Sequence, residues 1–120
     1  MSNKILIIDD DEAVRDAFII ALRKDYEVLV AEDGYKGVDT ARTEKPSLIF
    51  LDLKMPGMNG VEVLATIREF NTETPIFIVT AFYKEFLHPL EKVANDGISF
   101  QLAQKPLSGD QIRAIVGSVI

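Results

Sequence analysis

The sequence predicts an α/β domain, a doubly wound sheet of five parallel strands with helices on both faces. Two observations predict it. Short apolar runs lack the polar alternation of a strand with one wet face, as expected where both faces are covered. The runs alternate with stretches of helical periodicity, the pattern of repeated strand–helix units joined by right-handed crossovers.

Ile5–Ile8 is the first strand, and Ala13, Val14, Ala17, Phe18, Ala21 and Leu22 then recur at helical spacing. Val28–Ala31 is the second strand, and Tyr35–Thr43 is a polar helix carrying Val38 and Ala41, with Glu32-Asp33 as its cap. Leu48–Leu51 is the third strand. Asn59 and Glu62 form a capping-box pair that opens a helix bearing Val61, Leu64, Ile67 and Phe70. Ile76–Val79 is the fourth strand, and Leu90, Val93 and Ala94 mark a short helix that Gly97 ends. Proline is tolerated in a first helical turn and pushes its predecessor out of helical geometry. His88-Pro89 therefore predicts a helix starting near Pro89, after a long loop holding Phe82, Tyr83, Phe86 and Leu87. Phe100–Ala103 is a weaker fifth strand. Ser108 and Gln111 form a second capping box, opening a helix with Ile112, Ile115, Val116 and Val119 on one stripe.

A chain of 120 residues, 48% hydrophobic, fits a single domain over residues 1–120. At that size folding buries about 65% of the unfolded chain's surface, so no covalent staple is needed. The absence of cysteine excludes a disulfide scaffold, a thiolate metal site and a cysteine nucleophile. The start, Met1-Ser2-Asn3-Lys4, leads into a short apolar run and then acids, which is neither a signal peptide nor a membrane span; a cytoplasmic protein is expected. A net charge of −6 argues against direct nucleic-acid binding by this domain.

Parallel sheets of this kind bind ligands beyond the carboxyl ends of their strands. Asp9 and Asp10 follow the first strand, Asp52 the third, Thr80 the fourth and Lys105 the fifth. Singly, each has an ordinary reading: Asp10 or Asp11 caps the first helix, Asp52 caps a turn before Pro56-Gly57, Thr80 bonds backbone, and Lys105 is solvated before a proline. Together they require separate coincidences at four strand ends. Gathered like charges also cost stability unless a cation is bound. The functional reading explains the set. Mg²⁺ takes one or two carboxylates plus phosphate oxygens and keeps several waters. Asp52 can attack phosphorus to form an aspartyl phosphate. Such transfer needs positioning and charge neutralisation, which Mg²⁺, Lys105 and the Thr80 hydroxyl can supply.

The sequence at this point resembles the receiver domain of two-component response regulators, similar to the single-domain chemotaxis type. The resemblance covers essentially the whole chain. Its carriers are Lys4-Ile5-Leu6-Ile7-Ile8-Asp9-Asp10-Asp11, Leu51-Asp52-Leu53-Lys54-Met55-Pro56-Gly57-Met58-Asn59-Gly60, Ile78-Val79-Thr80-Ala81 and Lys105-Pro106. It implies a flavodoxin-like strand order 2-1-3-4-5. It also implies Asp52 as phosphoacceptor, Asp9 and Asp10 as Mg²⁺-binding acids, the Lys54 backbone carbonyl as a further metal ligand, and a cis Lys105–Pro106 peptide. The implied donor is a sensor histidine kinase or histidine phosphotransfer protein, and the implied outcome is a conformational switch read by an output partner or effector domain. Such a domain is a signalling phosphoacceptor rather than an enzyme, catalysing only its own phosphorylation and dephosphorylation.

The match weakens between Thr80 and Lys105, where the chain is about three residues longer than the family's usual spacing. The family's mobile aromatic, three residues before the lysine, is here Leu102; Phe100 shares its strand face, and either it takes that place through a bulge or the switch works differently. Two other functional classes compete. One is a non-phosphorylated interaction module using this altered face. The other is a phosphatase of the haloacid-dehalogenase type with Asp9 as nucleophile, against which the chain has no cap domain and no further acidic motif.

Overall fold

The computed structural model describes residues 3–120, so Met1-Ser2 at the start lies outside them. Five parallel strands, β1 (Lys4–Ile8), β2 (Glu27–Ala31), β3 (Leu48–Leu51), β4 (Ile76–Thr80) and β5 (Gln101–Gln104), lie in the order β2-β1-β3-β4-β5. Helices α1 (Glu12–Leu22), α2 (Gly34–Glu44), α3 (Gly60–Phe70), α4 (Leu87–Asn95) and α5 (Gly109–Val119) cover both faces. This is the doubly wound sheet expected.

Period-two alternation splits the strands between two cores. Leu6, Ile8, Ile49, Leu51, Ile76 and Ile78 face α2, α3 and α4. Ile5, Ile7, Leu48, Phe50, Phe77 and Val79 face α1 and α5. Phe50 anchors the second core, its ring centroid 4.8 Å from Phe18 and 5.9 Å from Phe77. Both expected capping boxes form, at Asn59/Glu62 and Ser108/Gln111. Asp11 rather than Asp10 caps α1, and Asp33 caps α2.

Two local expectations change. Helix α4 starts at Leu87, two residues before Pro89, and His88 is helical. A 3-10 turn over Tyr83–Phe86 carries the chain straight into the helix, and Pro89 in the first turn lacks only an N–H that would have no helical partner anyway. Gly97 at φ +85° ends α4, with its N–H donated to Ala94 and that of Ile98 to Val93. The fifth strand is shifted by one residue, and its register on β4 is unbroken from Gln101 to Gln104. Phe100 precedes the strand and packs against the α4 core, while Leu102 is half exposed. No bulge brings Phe100 to Leu102's place.

Candidate functional site

The register of β1 on β3, with Ile8 opposite Leu51, sets Asp9 beside Asp52 one residue beyond the strands. The Asp52 N–H donates to Ile8 O at 2.9 Å, and the Asp9 N–H to Ala31 O at 3.1 Å, so both acids sit on sheet backbone. Both are buried, at 4% and 5% exposure, whereas Asp10 is exposed. One carboxylate oxygen from each of Asp9, Asp10 and Asp52 lies within 4.8 Å of the others.

Lys105 closes the cluster from β5. Its Nζ lies 2.8 Å from Asp9 Oδ2 and 3.5 Å from Asp52 Oδ1. The Lys105–Pro106 peptide is cis. Asp9 Oδ1 also accepts from the Asp11 N–H at 2.9 Å, so both of its oxygens are engaged. Asp52 Oδ1, by contrast, is buried with no hydrogen-bond partner among the described residues. Burial pushes the Asp52 carboxyl up to about 6, with the Asp9 charge adding to the rise and Lys105 and the Leu53 N–H opposing it. Burial works to lower the Lys105 ammonium, but its hydrogen bond to Asp9 and the charges of Asp52 and Asp9 prevail and hold its pKa above the usual value.

An unpartnered buried carboxylate oxygen, three converging acids and a single ammonium make an oxygen-donor set for a hard divalent cation. Thr80 is fully buried, and its hydroxyl oxygen accepts from the Phe82 N–H at 3.0 Å. That bond leaves the hydroxyl proton free to donate. A family model described as the response regulator receiver domain matches residues 5–117.

The chain belongs to the response regulator receiver domain family. It is 35% identical over 123 residues to the alkaline phosphatase synthesis transcriptional regulatory protein PhoP of Bacillus subtilis, covering 100% of this chain and 49% of that protein. It is 32% identical to sporulation initiation phosphotransferase F of the same organism, covering 97% of this chain and 92% of that protein. It therefore spans about half of the first relative and most of the second. The CheY-like receiver domain protein from Methanospirillum hungatei JF-1 matches with a TM-score of 0.87 at 25% identity, over 98% of this chain and 93% of that one. The fold of the Vibrio cholerae chemotaxis protein CheY4 matches with a TM-score of 0.85 at 24% identity, over 100% of both chains.

In this receiver most of the expected site residues converge. Asp9, Asp10, Asp52 and Lys105 come together. Lys54 is expected to contribute only its backbone carbonyl; its side-chain ammonium lies 4.4 Å over the Phe82 ring and 3.4 Å from Glu85 Oε1. The structure adds two roles that the sequence does not state. Arg15 NH1 donates to the Asp9 backbone carbonyl at 2.8 Å; the signal was a basic residue one turn beyond the Asp11 cap. Gly60 passes so close beneath β3 that a Cβ there would lie 2.2 Å from Asp52 O. Among the described residues, no helix is long and apolar enough to cross a membrane.

Proposed function

We propose that this receiver accepts a phosphoryl group on Asp52 in a Mg²⁺-dependent reaction, with Asp9, Asp10, Asp52 and the Lys54 carbonyl as the metal ligands. The observation that carries the reading is the buried Asp52 Oδ1, which has no hydrogen bond among the described residues and only the Lys105 ammonium, 3.5 Å away, as a counter-charge. A buried polar atom without a partner costs free energy, and sites that retain one do so for a ligand or a reaction. With an ordinary carboxylate value raised only to about 6, Asp52 is mostly ionised near neutral pH and available as a nucleophile.

Bound Mg²⁺ supplies positive charge to the transferring oxygens. The Asp52 carboxylate forms the new O–P bond as the P–N bond to the donor histidine breaks, and the imidazole keeps the electron pair. Lys105 neutralises charge on a phosphoryl oxygen, and Thr80 donates its free hydroxyl proton to another. The donor class is a histidine kinase or histidine phosphotransfer protein in the cytoplasm, and the output is a separate partner or an effector domain. Asp9 is a poorer nucleophile than Asp52, because Lys105 and the Asp11 N–H already occupy its two oxygens.

The test is incubation with acetyl phosphate and Mg²⁺, followed by intact mass and site mapping. The expected result is one phosphoryl group on Asp52, lost in Asp52→Asn and on chelation. A label on Asp9 would favour the phosphatase reading. No label, with partner binding indifferent to Asp52→Asn, would favour an interaction module.

A further inference from the structure

The Asp10 carboxylate is exposed and, among the described residues, no hydrogen bond holds it. It nonetheless lies within the 4.8 Å cluster with Asp9 and Asp52. Its position is therefore set by its backbone, and the peptide that joins Asp9 to Asp10 decides where it points. That peptide's carbonyl is Asp9 O, and its one side-chain partner is the Arg15 guanidinium, at 2.8 Å across a sequence separation of six residues. The flanking groups are fixed from elsewhere. The Asp9 N–H is tied to β2 through Ala31 O, and the Asp11 side chain accepts from the Ala13 and Val14 N–H groups at the start of α1. Across the turn itself the Asp11 N–H donates to Asp9 Oδ1 at 2.9 Å, and Arg15 is the one side chain that holds the Asp9 carbonyl; it is half-buried, flanked by Val30, Glu32 and Lys36.

We infer that Arg15 is a positioning residue of the metal site: by holding the Asp9 carbonyl it aims Asp10 at the cation. This rests on the proposed metal role of Asp9 and Asp10. Two physical effects of removing Arg15 have opposite signs, which makes the inference testable. A cation near a Mg²⁺ site repels the ion, so simple loss of charge tightens binding. Loss of the clamp lets the Asp9–Asp10 peptide rotate and disperses a ligand, which weakens binding.

The experiment uses amide NMR of the whole chain with Arg15→Met and Arg15→Lys. In metal-free protein, Arg15→Met should speed exchange of the Asp11 amide, which is bonded to Asp9 Oδ1, about tenfold while leaving the β3 amides unchanged. Titration with MgCl₂ should then show a Kd raised about tenfold in Arg15→Met and partly restored in Arg15→Lys. Unchanged exchange at residue 11, or a tightened Kd, overturns the inference. Wild-type protein that takes up no Mg²⁺ would sink the metal assignment instead, while the exchange result would still report on the clamp. Uniformly faster exchange throughout the chain would show a merely structural arginine and also overturns it.

Discussion

Strands β1 and β3 reach the site as solid core, with Ile5–Ile8 and Leu48–Leu51 all buried, whereas on β5 the residues Gln101, Leu102 and Gln104 are exposed. The contrast runs through the loops that follow. Asp9 and Asp52 are hydrogen-bonded to sheet backbone. Ala81, Phe82 and Leu87 lie at the surface, and Tyr83 and Leu102 flank a groove of about 170 Å³. Phosphoryl transfer demands carboxylates held in fixed geometry, and a dense core provides that. A conformational response demands a segment that reorders cheaply, which a sparsely anchored surface provides. On the proposed function, the two tasks divide between the buried β1–β3 centre and the exposed β5 edge.

The most direct way to break this comparison is to cut one large side chain from each side. Phe50, 1% exposed and touching both Phe18 and Phe77, should cost about 3–5 kcal/mol on truncation to alanine. Leu102, half exposed, should cost less than about 0.5 kcal/mol in Leu102→Ala. Urea denaturation measures both, and similar losses would erase the distinction.

Lys105 belongs to the sparse side in sequence but reaches across to Asp9 and Asp52. Lys105→Ala should therefore reduce the rate of acetyl phosphate labelling about a hundredfold, as for loss of one charge-stabilising donor. Thr80→Ala should change labelling less than about threefold, since its hydroxyl proton supplies one contact among several, yet it should abolish the phosphorylation-dependent gain in partner binding. Equal damage to both activities in both variants would show that the tasks are not divided.

Much of this was legible beforehand because it depends on local pattern. Unbroken apolar runs announced β1 and β3, paired capping residues announced α3 and α5, and the acids stood where strands end. What escaped depends on approach in three dimensions. Nothing in the spacing of Gly60 states that its Cα lies against the Asp52 carbonyl, and nothing in Arg15 states that it folds back onto residue 9. The start of α4 lies before the proline because the preceding turn feeds His88 into helical geometry, against the local preference of a residue before proline.

The buried side carries an electrostatic cost that pH can reveal. The Asp52 carboxyl, raised to about 6 from an ordinary value of 3.8, binds its proton more tightly folded than unfolded. Metal-free protein should therefore lose stability as pH rises from about 4 to 6 and hold the full penalty above that. Asp52→Asn should remove the penalty, stabilising the metal-free protein by about 1–2 kcal/mol at pH 7.5 and by nothing near pH 3.5. Mg²⁺ should stabilise the wild type and leave Asp52→Asn nearly unmoved. A variant less stable than wild type at pH 7.5 would show that Asp52 is not strained by its neighbours.

The smallest expected effect tests how loosely the other side is held. Residues 81–88 carry four large apolar side chains, but only Phe86 packs onto a core; Phe82 and Leu87 remain 43% and 46% exposed. Lys54 spans the gap between the two sides, with its ammonium over the Phe82 ring and beside Glu85. Exposed contacts of these kinds are worth about 0.5–1 kcal/mol together. Amides of residues 82–87 should thus exchange far faster than those of β3, and Lys54→Ala should speed them a further two- to fivefold, since about 0.4–1 kcal/mol of local opening free energy is removed. Phosphorylation of Asp52 should change their exchange as well, because the Thr80 hydroxyl that would donate to a phosphoryl oxygen is the same group that holds the Phe82 N–H. If these amides exchange as slowly as β3 with and without the phosphoryl group, the segment is fixed core and the response must travel elsewhere.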